Sequence, residues 1–474
     1  MSAVPPRRIL FYSSISYAND RPSGAAKSNL YQMEALSAQG HECVLICRLT
    51  AARENRDAAL ARLRADGVEV TTVDQPLVIL DSFLHGRVRI QAFTLKSFGE
   101  WPIDRRLRFP WYWNRRGSPY PAVLLRHRKP LRRMLAEMRN TPGPPAKRVR
   151  ILGPWLASFV FEPVLQEGMP TLERIIADLR PDVMFVDGCL EFMQLVYLLR
   201  DDVLPPGCET YAIFTAGFAM SFGPEAGFAA TQAFLDTDHV LDLYRSMSGF
   251  VTPSRYLGEY LVRESGLPLR YTVVHPRFKP LEADQDRPRD PAHGVVMLIN
   301  ASGIKGLSIF VELARRLPNV PFAVVATWGS LPDTERRTLE RLPNVQILNP
   351  VSPVDPIYDM TRVLLVPSLW SDPFPRVVNE AMLRGIPVLA SDRGGIPEAK
   401  HGVPYVLPVT PYASAADYDG PPPPQNVDPW LAALTRLLDD PAHFTEVSNA
   451  SRAAARAFVA GQDARSLADV WAAT

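Results

Sequence analysis

The sequence predicts an α/β protein of two doubly wound domains, and three observations carry that prediction. Apolar, strand-like runs alternate with helix-like stretches, the alternation halts at a polar stretch punctuated by proline, and it then restarts. The chain has 474 residues, more than one core normally supports, since single cores stop growing near ~250–300 residues.

In the first half, 8–13 reads as a buried strand, 28–39 has helical spacing, Gly40 stops that helix and 42–47 is the next strand. This is a βαβ opening. Further strands are expected at 68–73, 182–186, 210–214, 249–252 and 271–274, and strands separated by helices favour a parallel sheet. The stretch 277–294 lacks apolar periodicity and reads as a linker. Beyond it, strands are expected at 295–300, 321–326, 345–348, 363–366 and 387–390, with helices at 307–317, 332–342 and 374–384. Segment 408–428, rich in Pro, Gly and Asp, reads as a loop, and 430–438 and 441–459 read as closing helices. The expected domains are therefore 1–276 and 295–455, with 456–474 a terminal helix returning to the first domain.

Apolar residues make up 47% of the chain and charged residues 22%, so both halves can bury a core and disorder is not indicated. No apolar run is long enough to span a bilayer, and no cleavage-type leader precedes the first strand, which leads us to expect a cytoplasmic protein. Cys43, Cys47, Cys189 and Cys208 have neither disulfide density nor metal-ligand spacing and are expected as buried reduced thiols. The net charge is only +2, yet residues 85–150 hold 17 Lys and Arg against 3 Asp and Glu. This basic segment lies in an insertion, about 78–168, in which Arg mixes with Trp101, Trp111, Tyr112, Trp113 and prolines and no strand–helix rhythm emerges. Three readings stand for it: peripheral contact with an anionic membrane, a pocket for an acidic or aromatic acceptor, or a solvated basic surface or oligomer contact. Nucleic acid is not expected, because no recognition motif accompanies the charge.

The chemistry concentrates in 363–398. A buried strand ends at Pro367-Ser368, a short loop carries Trp370, and a helix is expected to start near Pro373–Pro375 with Ser371 or Asp372 as cap. The amides of Arg376, Val377 and Val378 are expected to stay unpaired at that start, where free N–H groups and the positive end of the helix dipole make an anion site suited to a diphosphate. Ligands of open α/β sheets sit at the carboxyl ends of the strands, which is where this helix begins. Glu380, about two turns in, suits the vicinal hydroxyls of a ribose, although it also has the spacing to pair with Arg376 or Arg384. Gly394 and Gly395 are expected to let the backbone approach a ligand closely. Earlier, Asn300, Ser302, Gly303 and Lys305 follow a strand and open a helix, so that backbone and ammonium face a phosphate without forming a Walker loop. Asp236 and Asp238 imitate a metal motif but fall in a helical stretch, and no metal is expected.

Read together, Pro367, Ser368, Phe374, Glu380, Ala381, Met382, Gly385, Pro387, Val388, Gly394, Gly395, Pro397 and Glu398 resemble the donor motif of family 4 of the retaining glycosyltransferases, in glycosyl transferases group 1. The resemblance implies a GT-B fold, two doubly wound Rossmann-like domains facing a cleft, and metal-independent transfer from a UDP-, GDP-, ADP- or TDP-sugar without any other cofactor. It implies that Asp372, standing where the family has glutamate, lies near the transferred sugar, and that Lys305 neutralises the leaving diphosphate; these two are the catalytic candidates. Asn300 replaces an arginine of the family and Pro375 a glycine. Gly24 corresponds to the family's glycine-rich loop, Val351 to the segment holding the base, and Asp187 or Thr215 to a histidine on the acceptor side. The acceptor implied is a glycolipid, a polysaccharide or a specialised metabolite. A nucleotide-sugar epimerase, a phosphorylase and a nucleotide-sugar-binding subunit without turnover are the alternatives.

Overall fold

The computed structural model describes residues 5–13, 24–48, 70–74, 78–85, 88–95, 176–188, 203–217, 220, 222–225, 237–278, 280–281, 288–326, 331, 333–351, 353–418, 420–464 and 467–472. The chain divides into two compact units, one of residues 1–252, 261–272 and 466–474 and the other of 253–260 and 273–465.

The first unit is built on a nine-stranded sheet. Its strands are β1 (Arg8–Ser13), β2 (Glu42–Arg48), β3 (Val70–Asp74), β4 (Val78–His85), β5 (Val88–Leu95), β6 (Val183–Asp187), β7 (Glu209–Ile213), β8 (Gly249–Thr252) and β9 (Tyr271–Val273). Their spatial order is β3-β4-β5-β2-β1-β6-β7-β8-β9. Strand β1 lies parallel between β2 and β6, because α1 (Gly24–Ala38) carries the chain back across the sheet before β2. Two corrections follow. The sheet is mixed, since β4 runs antiparallel to both its neighbours β3 and β5, and the basic insertion opens with two strands where the sequence shows no strand–helix rhythm. The strand β5 pairs parallel with β2, which ties the insertion's start into the doubly wound sheet. The remainder of the insertion, 96–175, lies outside the described residues.

The core of this unit forms where β1 and β6 bury Ile9, Leu10, Phe11, Val183, Met184 and Phe185. Late in the chain α11 (Asp469–Ala472) belongs to the same unit: Trp471 lies 6.2 Å from Phe185 and meets His41 edge-on, with the Arg7 guanidinium over its ring. Burial pushes the thiols of Cys43 and Cys208 up to about 12, so both stay protonated and unreactive. Cys189 and the side chain of Cys47 lie outside the described residues.

The second unit is a six-stranded parallel sheet of β10 (Val295–Ile299), β11 (Phe322–Val325), β12 (Val345–Leu348), β13 (Thr361–Val366), β14 (Val388–Ser391) and β15 (Val406–Leu407), in the order β12-β11-β10-β13-β14-β15. Runs such as 295–299 and 363–366 are apolar at almost every position because helices cover both faces of a parallel sheet. Those helices include α4 (Leu307–Arg316), α5 (Asp333–Glu340), α6 (Asp355–Asp359), α7 (Arg376–Leu383), α8 (Ile396–Ala399), α9 (Asp428–Asp439) and α10 (Pro441–Ala460). Connecting β8 to β9 is α3 (Arg255–Ser265), preceded by α2 (Thr237–Ser246).

The stretch expected as a linker is held against this second unit at its described ends. Phe278 is buried, its amide donating to Gln462 at 3.0 Å, while the Gln462 amide donates to the Pro276 carbonyl at 2.7 Å. Further on, Arg289 donates to the carbonyls of Arg384 and Asp359. Polar composition hid these anchors because each works through a single side chain rather than a periodic face. Among the described residues, no helix is long and apolar enough to cross a membrane.

Candidate functional site

Adjacent parallel strands β10 and β13 end side by side, and each feeds a turn that bears predicted residues. After β10 the chain bends through Asn300, whose φ of 68° lies in the left-handed region that asparagine tolerates better than most residues. A short 3₁₀ turn, Gly303–Lys305, follows and ends at Gly306, with φ 81°. A Cβ on Gly306 would collide with the Pro367 carbonyl, so glycine is what lets this turn press on the end of β13. The contact is sealed by the Leu369 amide, which donates to the Ile304 carbonyl at 2.8 Å.

The turn after β13 is fixed from the other side as well. The Ser391 hydroxyl donates to the Ser368 carbonyl at 2.8 Å, and the Gly395 amide donates to the Asp372 carbonyl at 2.8 Å. Cβ atoms on Gly394 and Gly395 would strike the backbone of Ser371, Asp372 and Pro373. The close approach that glycine permits here is therefore to the chain's own loop. The two glycines shape the site by holding that loop down.

The helix α7 begins at Arg376, two residues later than expected, and its N-cap is Pro375 with no side-chain cap bond, rather than Ser371 or Asp372. Two prolines explain the delay, because Pro375 disfavours the helical conformation for Phe374 before it. A second correction concerns the amides. Val378 N–H donates to the Pro375 carbonyl at 3.1 Å, which leaves Arg376 and Val377 as the two first-turn amides with no partner among the described residues.

Asp372 is 6% exposed, and its carboxylate forms an ion pair with the Lys305 ammonium. The two residues are 67 apart in the chain and meet because β10 and β13 are neighbours. The same ammonium lies 4.7 Å from the centre of the Trp370 ring, a cation–π placement. Glu380 accepts from the Tyr358 hydroxyl at 2.8 Å through one oxygen and pairs with Arg376 at 3.3 Å through the other. Its side chain keeps 25% exposure, and a carboxylate has about four acceptor directions, so acceptor capacity remains. Arg376 is itself clamped, donating to the Arg277 carbonyl at 2.7 Å over the Phe278 ring. Burial, and then the Glu380 charge, push the Tyr358 hydroxyl well above its ordinary range, so it stays a donor.

Phe374 is buried. Its ring lies 5.1 Å from His275, 5.9 Å from Phe458 and 6.4 Å from His401. Beside it Glu398, the last residue of the motif, accepts from His275 at 2.7 Å and from the Arg255 amide at 2.9 Å. Burial opposes the charged form of Glu398, but the His275 hydrogen bond and the Arg255 amide outweigh it and hold the pKa below the usual glutamate value. Behind the cluster, burial draws His401 down to about 4, so its ring is neutral where it meets Asn379.

Several of these partners carried no sequence signal: Tyr358, His275 and Arg277 sit outside every motif. Tyr412 and Glu335 were missed as well. Both approach Gly303, with a Tyr412 hydroxyl 3.4 Å and a Glu335 oxygen 3.7 Å from the place of a Cβ there. Burial raises the pKa of Glu335, and burial together with the Glu335 charge raises that of Tyr412. Val351, 43% exposed, follows β12. In the first unit Asp187 ends β6 and pairs in register with Ile213, two residues before the half-buried Thr215, so both candidates lie at neighbouring strand ends. Gly24 opens α1, and the loop before it, 14–23, lies outside the described residues, as do the side chain of Asp187 and all of Asp236. Asp238 lies in α2. Among the described residues no group of three or more His, Cys, Asp or Glu is placed to hold a metal ion.

Two turns at adjacent strand ends, a paired lysine and acid and a helix start with two free amides are what the geometry offers. Residues 294–419 match the family model for glycosyl transferases group 1. The match runs from β10 to the loop beyond β15 and so contains both turns, the Lys305–Asp372 pair and the start of α7. No curated protein matches the sequence. Among solved structures, a sucrose-phosphate synthase from Thermosynechococcus elongatus superposes with a TM-score of 0.57 at 17% identity, covering 99% of this chain and 100% of its own. A glycosyltransferase from Rickettsia africae gives 0.55 at 10% identity, with 95% and 93% covered. HepE from Anabaena, solved with UDP and glucose, gives 0.53 at 14% identity, with 95% and 94% covered. Likeness at these identities establishes the fold, which is GT-B, and the family match marks residues 294–419 as a glycosyl transferases group 1 domain.

Proposed function

We propose that this chain is a retaining, metal-independent glycosyltransferase that moves a sugar from a nucleotide-sugar donor to a hydroxyl acceptor in the cytoplasm. The observation that carries the reading is the joint presence, at the ends of β10 and β13, of the Lys305 ammonium, the Asp372 carboxylate and the unpaired amides of Arg376 and Val377. A diphosphate is neutralised by the ammonium and the helix start. Asn300, Ser302 and Gly303 line the turn before it, and Glu380, oriented by Tyr358 and Arg376, receives the ribose hydroxyls. Val351 stands beside the base, Gly24 serves the donor, and Asp187 or Thr215 serves the acceptor. The HepE structure, which holds UDP and glucose, supports a nucleotide-sugar donor of this class. Attack then comes from the face on which the diphosphate leaves, with that diphosphate's oxygen taking the acceptor proton while Lys305 and the two amides stabilise the growing charge. The acceptor is a glycolipid, polysaccharide or specialised metabolite.

The test is the first-formed anomer. When the protein is incubated with UDP-, GDP-, ADP- and TDP-sugars and followed by proton NMR, transfer or slow donor hydrolysis should release the sugar with the donor's anomeric configuration. Release with the opposite configuration contradicts retention.

A further inference from the structure

We propose that Asp372 and Lys305 form a product-release latch, in which the acid competes with the departing diphosphate for the same ammonium. The proposal rests on the nucleotide-sugar reading of the site. It starts from an arrangement the motif does not contain: the group assigned to the sugar and the group assigned to the diphosphate are bonded to each other in the free chain.

Lys305 is 19% exposed and Asp372 8%, so both charges are substantially withdrawn from water and neither is well screened. The Asp372 backbone is pinned at both ends, its amide on the Trp370 carbonyl at 2.9 Å and its carbonyl on the Gly395 amide at 2.8 Å. The carboxylate therefore has little freedom to leave when a ligand arrives. A diphosphate drawn to Lys305 must approach this fixed negative charge, and the repulsion needs a hydrogen-bond donor to offset it. A nucleotide-sugar supplies one, because hydroxyls of its sugar can donate to Asp372. A bare nucleoside diphosphate has no such hydroxyl near its outer phosphate. Substrate binding thus exchanges the internal ion pair for two new contacts, whereas product binding leaves Asp372 facing phosphate. Once the sugar has gone, re-forming the Lys305–Asp372 pair favours release.

The experiment titrates a nucleoside diphosphate and its nucleotide-sugar into wild type, Asp372→Asn, Lys305→Met and the double variant by isothermal calorimetry. The Asn variant keeps the shape of the acid and removes its charge. It should bind the bare diphosphate roughly tenfold more tightly than wild type, which is the scale of one close charge contact, and should bind the nucleotide-sugar no more tightly. In the Lys305→Met background the same change should gain clearly less, because the charge being competed for is gone. Wild type should bind the nucleotide-sugar more tightly than the diphosphate, a reading that needs no variant to fold. Equal or weaker diphosphate binding by Asp372→Asn, or a wild type that prefers the bare diphosphate, overturns the latch while leaving the donor reading intact. A wild type that binds neither ligand overturns the donor reading, and the latch with it.

Discussion

Gly395 and Gly40 both follow regular elements, one in each unit, yet they meet very different surroundings. A Cβ on Gly395 would run into the Pro373 carbonyl, whereas a Cβ on Gly40 has nothing within 4 Å. Gly40, at φ 96°, only closes α1, through the bond from its amide to the Ser37 carbonyl. Gly395, together with Gly306 and Gly394, holds the backbones of three turns in contact beneath Asp372. The contrast separates glycine that frees a chain to turn from glycine that lets chain touch chain. The second kind positions chemistry.

The sharpest way to break this contrast is Gly395→Ala. With backbone on the far side of the collision and no flexible side chain to move aside, it should cost roughly 3–5 kcal/mol, read as a lower melting temperature, with donor binding lost. Next comes buried charge. Lys400 is 0% exposed, donates to the Val388 carbonyl at 2.7 Å, and burial draws its pKa down from 10.5 to about 7. A folded pKa below the unfolded one means the unfolded chain holds more protons, so this group's contribution is present above pH 10.5 and lost as pH falls towards 7. Lys400→Met removes that dependence. Its stability relative to wild type should therefore rise by roughly 2–4 kcal/mol as the pH is taken down across this interval, measured by urea unfolding at each pH.

Glu380→Ala tests whether the second unit's polar clamp serves a ligand or only the fold. It should weaken nucleoside diphosphate binding roughly tenfold to a hundredfold and abolish discrimination against 2′- and 3′-deoxy analogues. Tyr358→Phe, which deletes only the hydroxyl that orients Glu380, should cost about 1 kcal/mol of stability and keep the discrimination. An equally small effect is expected at Gly40→Ala, about 1 kcal/mol from placing a side chain at positive φ with no collision, with ligand binding unchanged. Equal damage at Gly40 and Gly395 would erase the contrast.

What was legible in the sequence follows the same division. Five of the six strands of the second unit are legible to within two residues at each end because runs such as 295–299 and 363–366 are apolar without interruption, as a sheet covered on both faces requires, whereas β15, two residues long, carries no run to read. The sequence alone puts the start of α7 early because two prolines suit a first helical turn as well as a preceding loop, and the restriction that Pro375 places on Phe374 decides for the loop. Gly394 and Gly395 were recognised as points of close approach, but a sequence does not say what approaches. Pairing of Lys305 with Asp372, and of Glu380 with Tyr358, joins residues whose proximity comes from strand order, which periodicity does not encode. In the first unit, β5 does alternate apolar and polar residues from Val88 to Ala92, but that short pattern stands next to the long arginine- and proline-rich stretch whose composition dominates the insertion.

The most direct test of the central claim is calorimetric titration of wild type and Glu380→Ala with UDP, GDP, ADP and TDP. Wild type should bind at least one of them, and the variant should bind it at least tenfold more weakly. Binding of none by wild type, or identical affinity in the two proteins, would contradict a nucleotide-sugar grip at the start of α7.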